Sequence, residues 1–473
     1  MRSPLIMAQR FIWLFVGPAG TYATWAIWTM LVMWMLCTGK GLRMESQACR
    51  TAGDPAGAAG AEGVLAELRR HRRALHRMPE LDFELPRTIE YVRNHLKSLS
   101  CEVFEPCRSC VCAYFDVGCD DTVAIRADMD ALPIVERSCA PAPSENPGHM
   151  HACGHDAHMA MALTLASLVA GESACGGARV GRGVAVHGGA GECGACSSSG
   201  EDAALDSNVL FIFQPAEETT GGAKTVCDSG VFERYGVNAI FGFHVWPDLP
   251  AGTVASRPGP LFARSSETHV DIKGVSAHIA TTYGVPDEQT QDAMLAAARF
   301  VEGSRRLMKQ LGEREYCIVK FGLLRAGTVC NAVAGDAHVE GSLRVYSDQL
   351  FDAARDGVRS CLEDACASTG CTYEVSFAPG YPPVINDAVL FGCAREAVPH
   401  MLELDSPSLT AEDFSFYQQR VPGLFMLLGV GACPSCPAGA TSSLHADDLY
   451  FDEEPLLLGV DAYCRLLGLG PIV

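Results

Sequence analysis

The sequence predicts an α/β fold in two parts, a mostly parallel-sheet domain interrupted by a smaller α+β domain. Three observations carry this. Short β-rich runs (TVAIRA, NVLFIFQ, AIFGFHV) alternate with a longer helical stretch (HMAMALTLASLVA), the pattern of a layered domain with a largely parallel sheet. Between 267 and 377 the order becomes β-α-β-β-α-β: THVDIKG, DEQTQDAMLAAARFVEGSRRLM, YCIVKFGLLRAG, AHVEGSLRVYS, FDAARDGVRSCLEDACAS and CTYEVSF. That order is ferredoxin-like. The first rhythm then returns with a helix near AVLFGCAREAVPHML, a strand GLFMLLGVG and a final helix EEPLLLGVDAYCRLL, so the smaller domain is inserted into the larger.

Taken in order, the chain opens on an apolar head, 1–43. Phe11 to Gly39 carry no charge and hold Trp13, Trp25, Trp28 and Trp34, four of the five tryptophans. About 20 apolar residues cross a bilayer, so a transmembrane helix or signal anchor fits, with membrane contact through residues 11–39. The alternatives are a cleaved signal peptide and a natural start at Met44, which leaves the head unmade. Location follows from the same choice: the membrane or secretory pathway if the head is made, the cytoplasm otherwise. Residues 44–63 are small and turn-rich and read as a linker. Helical periodicity begins near Val64 and runs through LAELRRHRRALHRM. Residues 171–207 turn to Gly, Ala, Ser and Cys and read as a flexible surface insertion within a domain segment that runs from 64 to 264. The inserted domain spans 265–378, and 379–473 completes the larger one.

Composition narrows the function classes. The 473 residues carry 36 Lys+Arg against 56 Asp+Glu, a net charge of −20. An acidic chain without a basic run is a poor binder of nucleic-acid phosphates, and no nucleic-acid partner is expected. The 22 cysteines are scattered along a long chain, unlike a small disulfide scaffold.

Chemistry concentrates in four motifs. His149, His151, His155 and His158 fall within ten residues of one another together with Cys153 and Asp156. Thiolate and imidazole are the ligands that borderline-soft divalent metals prefer, and Gly154 lets the chain bend between two donors. Gln214-Pro215-Ala216-Glu217-Glu218 follows the apolar run NVLFIF, placing two carboxylates at the sheet edge where open α/β folds hold ligands. Adjacent carboxylates repel unless a cation or proton intervenes, so one suits metal binding and the other proton transfer. His244, after AIFG, and His445, in SLHADD, are weak signals singly. With the first two motifs they complete a Cys, His, Glu, His, His set, enough for two ions.

These motifs resemble the zinc-dependent aminoacylase and carboxypeptidase superfamily of co-catalytic metallopeptidases. Within it the chain resembles the amidohydrolase branch of hippurate hydrolases, N-acyl-amino-acid amidohydrolases and auxin-conjugate hydrolases. The matching segments include LHRMPELDFELPRT, AIRADMDALPI, MHACGHDAH, LFIFQPAEETTGGAK, GFHVWPDLPAGTV, GVSAHIA, LTAEDFSFY and LHADDLYFDEE, in order across about 64–468. The resemblance implies a catalytic α/β domain with an inserted lid and dimerisation domain, hence a homodimer. It implies two divalent ions per subunit, zinc or manganese with cobalt as a further option, and a small-molecule N-acyl amino acid substrate. Cys153 would bridge the ions, with His155 and His244 on one and Glu218 and His445 on the other. Glu217 would be general base and acid, and Asp130, in RADMDALP, would orient the site or cap the next turn. His278 would reach the oxyanion across a dimer interface, and Asn331 and Arg344 would hold the substrate carboxylate. Two departures fall in the inserted domain. After His278 relatives usually read Ala-x-Pro-His, where this chain has Ala280-Thr281-Thr282-Tyr283; where they often read Asn-Val-Ile-Pro, it has Asn331-Ala332-Val333-Ala334. Both bear on substrate preference.

Two other readings compete. One is a metal-retaining homologue, catalytically weak, acting as a binding protein. The other is a thiol redox or structural zinc protein built on Cys107-x-x-Cys110, Cys193-x-x-Cys196 and Cys433-x-x-Cys436; none of these pairs has a second pair at zinc-finger spacing.

Overall fold

The computed structural model describes residues 55–174, 205, 207–219, 221–431 and 443–473. The apolar head, residues 44–54 of the linker, most of the 171–207 insertion and two of the three Cys-x-x-Cys pairs lie outside them. The expectation of a transmembrane segment is corrected: no helix among the described residues is long and apolar enough to cross a membrane, and residues 11–39, on which it rested, lie outside them. The most apolar long helix, His155–Ala174, is buried from His155 through Ala166 because protein covers it on all sides. The first helix is longer than periodicity suggests. It spans Pro55–His76, taking in residues 55–63 of the expected linker, where four alanines favour helix despite the glycines.

Among the described residues fourteen strands follow in chain order. The first seven are β1 (Glu102–Phe104), β2 (Val111–Phe115), β3 (Thr122–Asp128), β4 (Asn208–Gln214), β5 (Val237–Trp246), β6 (Val254–Ser256) and β7 (Gly259–Phe262). The inserted domain holds β8 (Arg264–Lys273), β9 (Ile318–Ala326), β10 (Asp336–Val345) and β11 (Thr372–Phe377); β12 (Val384–Asn386), β13 (Leu402–Glu403) and β14 (Gly423–Gly429) complete the set. The larger sheet has the order β1-β2-β4-β3-β5-β14-β6-β13. Its centre, β4-β3-β5-β14, is parallel, while β1, β2 and β6 pair antiparallel near the edges. β3 and β4 are buried along their whole length because the sheet is covered on both faces. Alternate residues serve opposite sides: Val209, Phe211 and Phe213 face one apolar core, Leu210 and Ile212 the other. The parallel arrangement brings the ends of β3, β4 and β5 to one edge of the sheet, where the chemistry-bearing motifs begin.

One charge sits inside this apolar centre. Arg126 on β3 is 2% exposed. It is neutralised by Asp128 at 2.6 Å, Asp413 at 2.8 Å and Glu412 at 3.0 Å, and its Nε donates to Gln214 Oε1 at 2.9 Å. An isolated buried guanidinium would be prohibitive; the three carboxylates and the amide make it tolerable. The network ties β3 to β4 and to the segment before β14.

The inserted domain has its own antiparallel sheet, order β11-β8-β10-β9. Two helices, Ala293–Gly312 and Asp348–Ala367, cover one face. Each starts at a side-chain cap: Asp292 accepts from Met294 N and Leu295 N, and Ser347 from Leu350 N. Val270 and Ile272 of β8 and Val339, Leu343 and Val345 of β10 bury against these helices. The period-2 alternation leaves the other face polar, with His269, His338 and Glu340 on it.

Candidate metal centre

Cys153, His155, Glu217, Glu218, His244 and His445 converge at the C-terminal edge of the parallel strands. Cys153 lies in the turn before the helix His155–Ala174, and His155 is that helix's first residue. Gly154 between them adopts φ 88°, and a Cβ there would stand 2.4 Å from Val245 Cγ2; glycine is what this bend requires. Glu217 and Glu218 follow β4 through Ala216, whose φ of 56° is left-handed, as is that of His445 at 65°. Strained non-glycine backbone of this kind concentrates where side-chain placement matters.

Two triads form, Cys153 with His155 and His244, and Cys153 with Glu218 and His445, each with one ligand-type atom per residue within 4.8 Å of the others. Cys153 Sγ is 3.3 Å from His244 Nε2, His445 Nε2 is 3.2 Å from Glu218 Oε1, and His155 Nε2 is 3.9 Å from the same oxygen. Supporting contacts orient each imidazole. His155 Nδ1 donates to Asp130 O at 2.8 Å and His244 Nδ1 to Val245 O at 2.6 Å, which turns both Nε2 lone pairs inward. Asp130 also grips the chain after β4: its two carboxylate oxygens accept Glu217 N and Glu218 N, both at 3.0 Å.

The electrostatics demand positive charge. Burial, with Glu218 and Glu217 beside it, pushes the Cys153 thiol well up, so its thiolate needs a cation. Burial would lower His155, but Asp128, Asp130 and Glu218 raise it to about 10. His244 moves the other way, to about 3, through burial and the neighbouring His158. Glu217 is raised well above the carboxylate range by burial, then by Glu412, Glu218 and Asp413. Burial would raise Glu218 also, but His445 and His155 hold it below that range. The donor set fits divalent metal on a further ground: His155 Nε2 and Glu218 Oε1 are buried with no hydrogen-bond partner, a cost that ligation removes.

A cavity of 410 Å³ lies over the cluster, lined by Cys153, Glu217, Glu218, His244 and His445 and walled by Trp246, Phe262, Tyr381 and Glu412. A larger cleft, 1260 Å³, separates the polar face of the inserted sheet from the larger domain and reaches Glu218 and Tyr381. Arg344 lines this cleft, and its Nη1 donates to Leu409 O at 2.7 Å across it. His278 and Asn331 are not brought to the cluster within this chain. Both are exposed on paired loops of the inserted domain, where His278 bridges Ala332 and Ile279 N donates to Asn331 O.

Sequence reading missed several residues. His158, in the first motif but given no role, bonds Asp128 at 2.6 Å and accepts Val245 N at 2.9 Å, bracing β3 against β5. Glu412 lines the cavity and is anchored by Arg126; the arginine inside TVAIRA was the available signal, since a charge in an apolar strand requires carboxylate partners. Tyr381 donates to Glu217 O at 2.7 Å, a contact that no local pattern announces. Of the Cys-x-x-Cys pairs only Cys107 and Cys110 are described; both are free thiols, Cys107 pushed upward by its hydrogen bond with Cys110 and by burial, Cys110 by burial, opposite to a reactive redox cysteine.

Paired triads sharing a thiol, set at the edge of a parallel sheet and facing a second domain across a cleft, define a metal-dependent hydrolase class. Comparison with known proteins agrees. The model of Peptidase family M20/M25/M40 matches residues 124–176 and 173–468. An N-acetyldiaminopimelate deacetylase of Lacticaseibacillus casei is 34% identical over 353 residues, 73% of this chain and 81% of the relative. An uncharacterized hydrolase of Staphylococcus epidermidis is 30% identical over 410 residues, 84% and 96% of the two chains. Among solved structures, a dinuclear metal binding peptidase from the M20 family of Bacillus subtilis superposes with a TM-score of 0.68 at 29% identity, covering 86% of this chain and 98% of its own. The chain belongs to Peptidase family M20/M25/M40, in its amidohydrolase branch, and is a metal-dependent amidohydrolase.

Proposed function

We propose that the chain hydrolyses the amide bond of N-acyl amino acids, releasing a carboxylic acid and an amino acid, with two divalent ions sharing Cys153. His155 and His244 would complete one ligand set, Glu218 and His445 the other. The observation that carries the reading is the membership of Cys153 in both triads. The dinuclear relative from Bacillus subtilis supports two ions, and the deacetylase relative supports an N-acyl amino acid as substrate. Cysteine and histidine donors suit zinc, with manganese and cobalt as alternatives.

Bound divalent ions would supply Lewis acidity and bring the pKa of water down to about 7. Glu217 takes the proton of the attacking water and returns it to the leaving nitrogen. It lines the cavity beside both triads, where a carboxyl can accept and donate in turn. Asp130 fixes Glu217 and Glu218 through their backbone N–H groups. Trp246 and Phe262, stacked with centroids 5.6 Å apart, form an apolar wall for the acyl group. Arg344 would bind the substrate carboxylate by exchanging its bond to Leu409 O for a charge-assisted pair, and Asn331, on the loop paired with that of His278, would join it only across a dimer interface. In a homodimer His278 of one subunit would face the other's cavity and stabilise the oxyanion.

The test is a hydrolysis screen of the purified full chain with N-acetyl, N-benzoyl and indole-acetyl amino acids. It is run after chelation and again with zinc, manganese or cobalt restored. Metal-restored cleavage of at least one series is expected; two bound ions with no cleavage in any series would replace this reading with that of a binding protein.

A further inference from the structure

A second group of metal-type donors lies among the helices that pack on the sheet, apart from the catalytic cluster. Glu67 and His71 stand one turn apart on the helix Pro55–His76, with His71 Nε2 3.4 Å from Glu67 Oε1. His95 comes from the helix Pro86–Leu96, its ring centroid 4.4 Å from that of His71 and nearly perpendicular at 81°. Ser167, on the helix His155–Ala174, closes the group: its Oγ donates to Glu67 Oε1 at 2.9 Å and lies 3.1 Å from His95 Nε2. One ligand-type atom of each of Glu67, His71 and His95 falls within 4.8 Å of the other two.

The geometry is close to that of a tetrahedral site. Zinc bonds near 2.0–2.1 Å put neighbouring ligand atoms about 3.3 Å apart, the spacing Glu67 and His71 already have. His95 is the donor that must move, because its Nε2 is shared between Leu163 O at 3.3 Å and Ser167. His71 is oriented in the manner of a ligand: its Nδ1 donates to Tyr91 OH at 2.9 Å, leaving the Nε2 lone pair toward the group. A cation is already drawn to this spot. Arg70 Nη2 sits 3.0 Å from His71 Nε2 and 3.4 Å from Glu67 Oε1, yet the Arg70 side chain is 57% exposed and can swing into water. Burial lowers both imidazoles, His95 to about 4, and the contact with His71 lowers Glu67. All three therefore hold the protonation states that metal ligation uses.

We propose that Glu67, His71 and His95 form a separate structural site for a zinc-type divalent ion, entered when Arg70 turns outward. An ion there clamps two helices directly, and Ser167, whose Oγ donates to Glu67, ties them to a third that begins at His155 and so carries one of the catalytic donors. Its role is to stiffen that support, not to react.

The experiment counts zinc by mass spectrometry on the full chain after zinc loading and gel filtration, in wild type, Glu67→Gln, His95→Gln and Arg70→Ala. Wild type is expected to hold one zinc more than either ligand variant. The ligand variants should keep the wild-type hydrolysis rate and show a lower Tm only when zinc is present. Arg70→Ala, which removes the competing cation, should fill the site at about tenfold lower free zinc. If His95→Gln fails to fold, Glu67→Gln, near-isosteric and half-exposed, carries the test alone. Equal zinc counts in wild type and Glu67→Gln would overturn the proposal, whether the shared count includes an extra adsorbed ion or not.

Discussion

Asp130 holds Glu217 by the backbone: one carboxylate oxygen accepts the Glu217 N–H at 3.0 Å while the other accepts that of Glu218, also at 3.0 Å. The residue proposed to move protons and the residue proposed to ligate metal are thus set by one side chain, that of a residue whose backbone carbonyl orients His155. Asparagine offers one acceptor and would turn an N–H toward another N–H. Asp130→Asn is predicted to weaken metal affinity and turnover together, by about 10- to 100-fold, measured by chelator competition and steady-state kinetics. Unchanged values for both would show that Asp130 merely caps the turn.

Gly154→Ala tests the bend that separates Cys153 from His155. The added Cβ meets Val245 at 2.4 Å, beside His244, in a backbone conformation with φ 88°. A loss of about 1–3 kcal/mol in stability is expected, with metal affinity at least tenfold weaker. A stable variant with native metal content would remove Gly154 from the account.

His278→Ala is predicted to impair catalysis while leaving metal content unchanged. Mixed with Glu217→Ala chains it should recover roughly a quarter of wild-type turnover, because about half of random dimers are mixed and each holds one intact site. Verified heterodimers without recovery would exclude a site shared in trans.

The pH dependence of stability has a definite sign at His76, whose ring bonds Asp156 at 2.8 Å and Glu136 at 3.2 Å. Burial alone would lower its pKa, but the two carboxylates raise it to about 9 from 6.5. A raised folded-state pKa contributes stability that is complete below 6.5 and is lost as pH rises through about 9. The contribution is at most about 3 kcal/mol. Thermal melts should show Tm falling across that window in wild type and less steeply in His76→Gln; equal slopes would contradict the assignment.

What the sequence made legible follows chemical density and local periodicity. Cys153 and His155 were readable because a thiol and four imidazoles crowd ten residues, and β3, β4 and β5 because their apolar runs stand between polar turns. Glu217 and Glu218 needed only the strand before them. His244 and His445 became meaningful only through resemblance, since nothing within a few residues of either says which cavity it enters. The Arg126 network, Tyr381 and the group around His71 escaped because their partners lie far along the chain: Arg126 meets Glu412 and Asp413, Tyr381 meets Glu217, and His71 meets His95 and Tyr91. The helical start at Pro55 escaped for the opposite reason, glycine punctuation outweighing alanine in the reading.

The central claim is that Glu217 moves protons beside a metal pair built on Cys153. It is tested most directly by Glu217→Gln, assayed for bound metal and for N-acyl amino acid hydrolysis in the same preparation. The account predicts wild-type metal content with turnover lower by several orders of magnitude, about 10³-fold or more. A Glu217→Gln chain that binds both ions and hydrolyses substrate at the wild-type rate would contradict it.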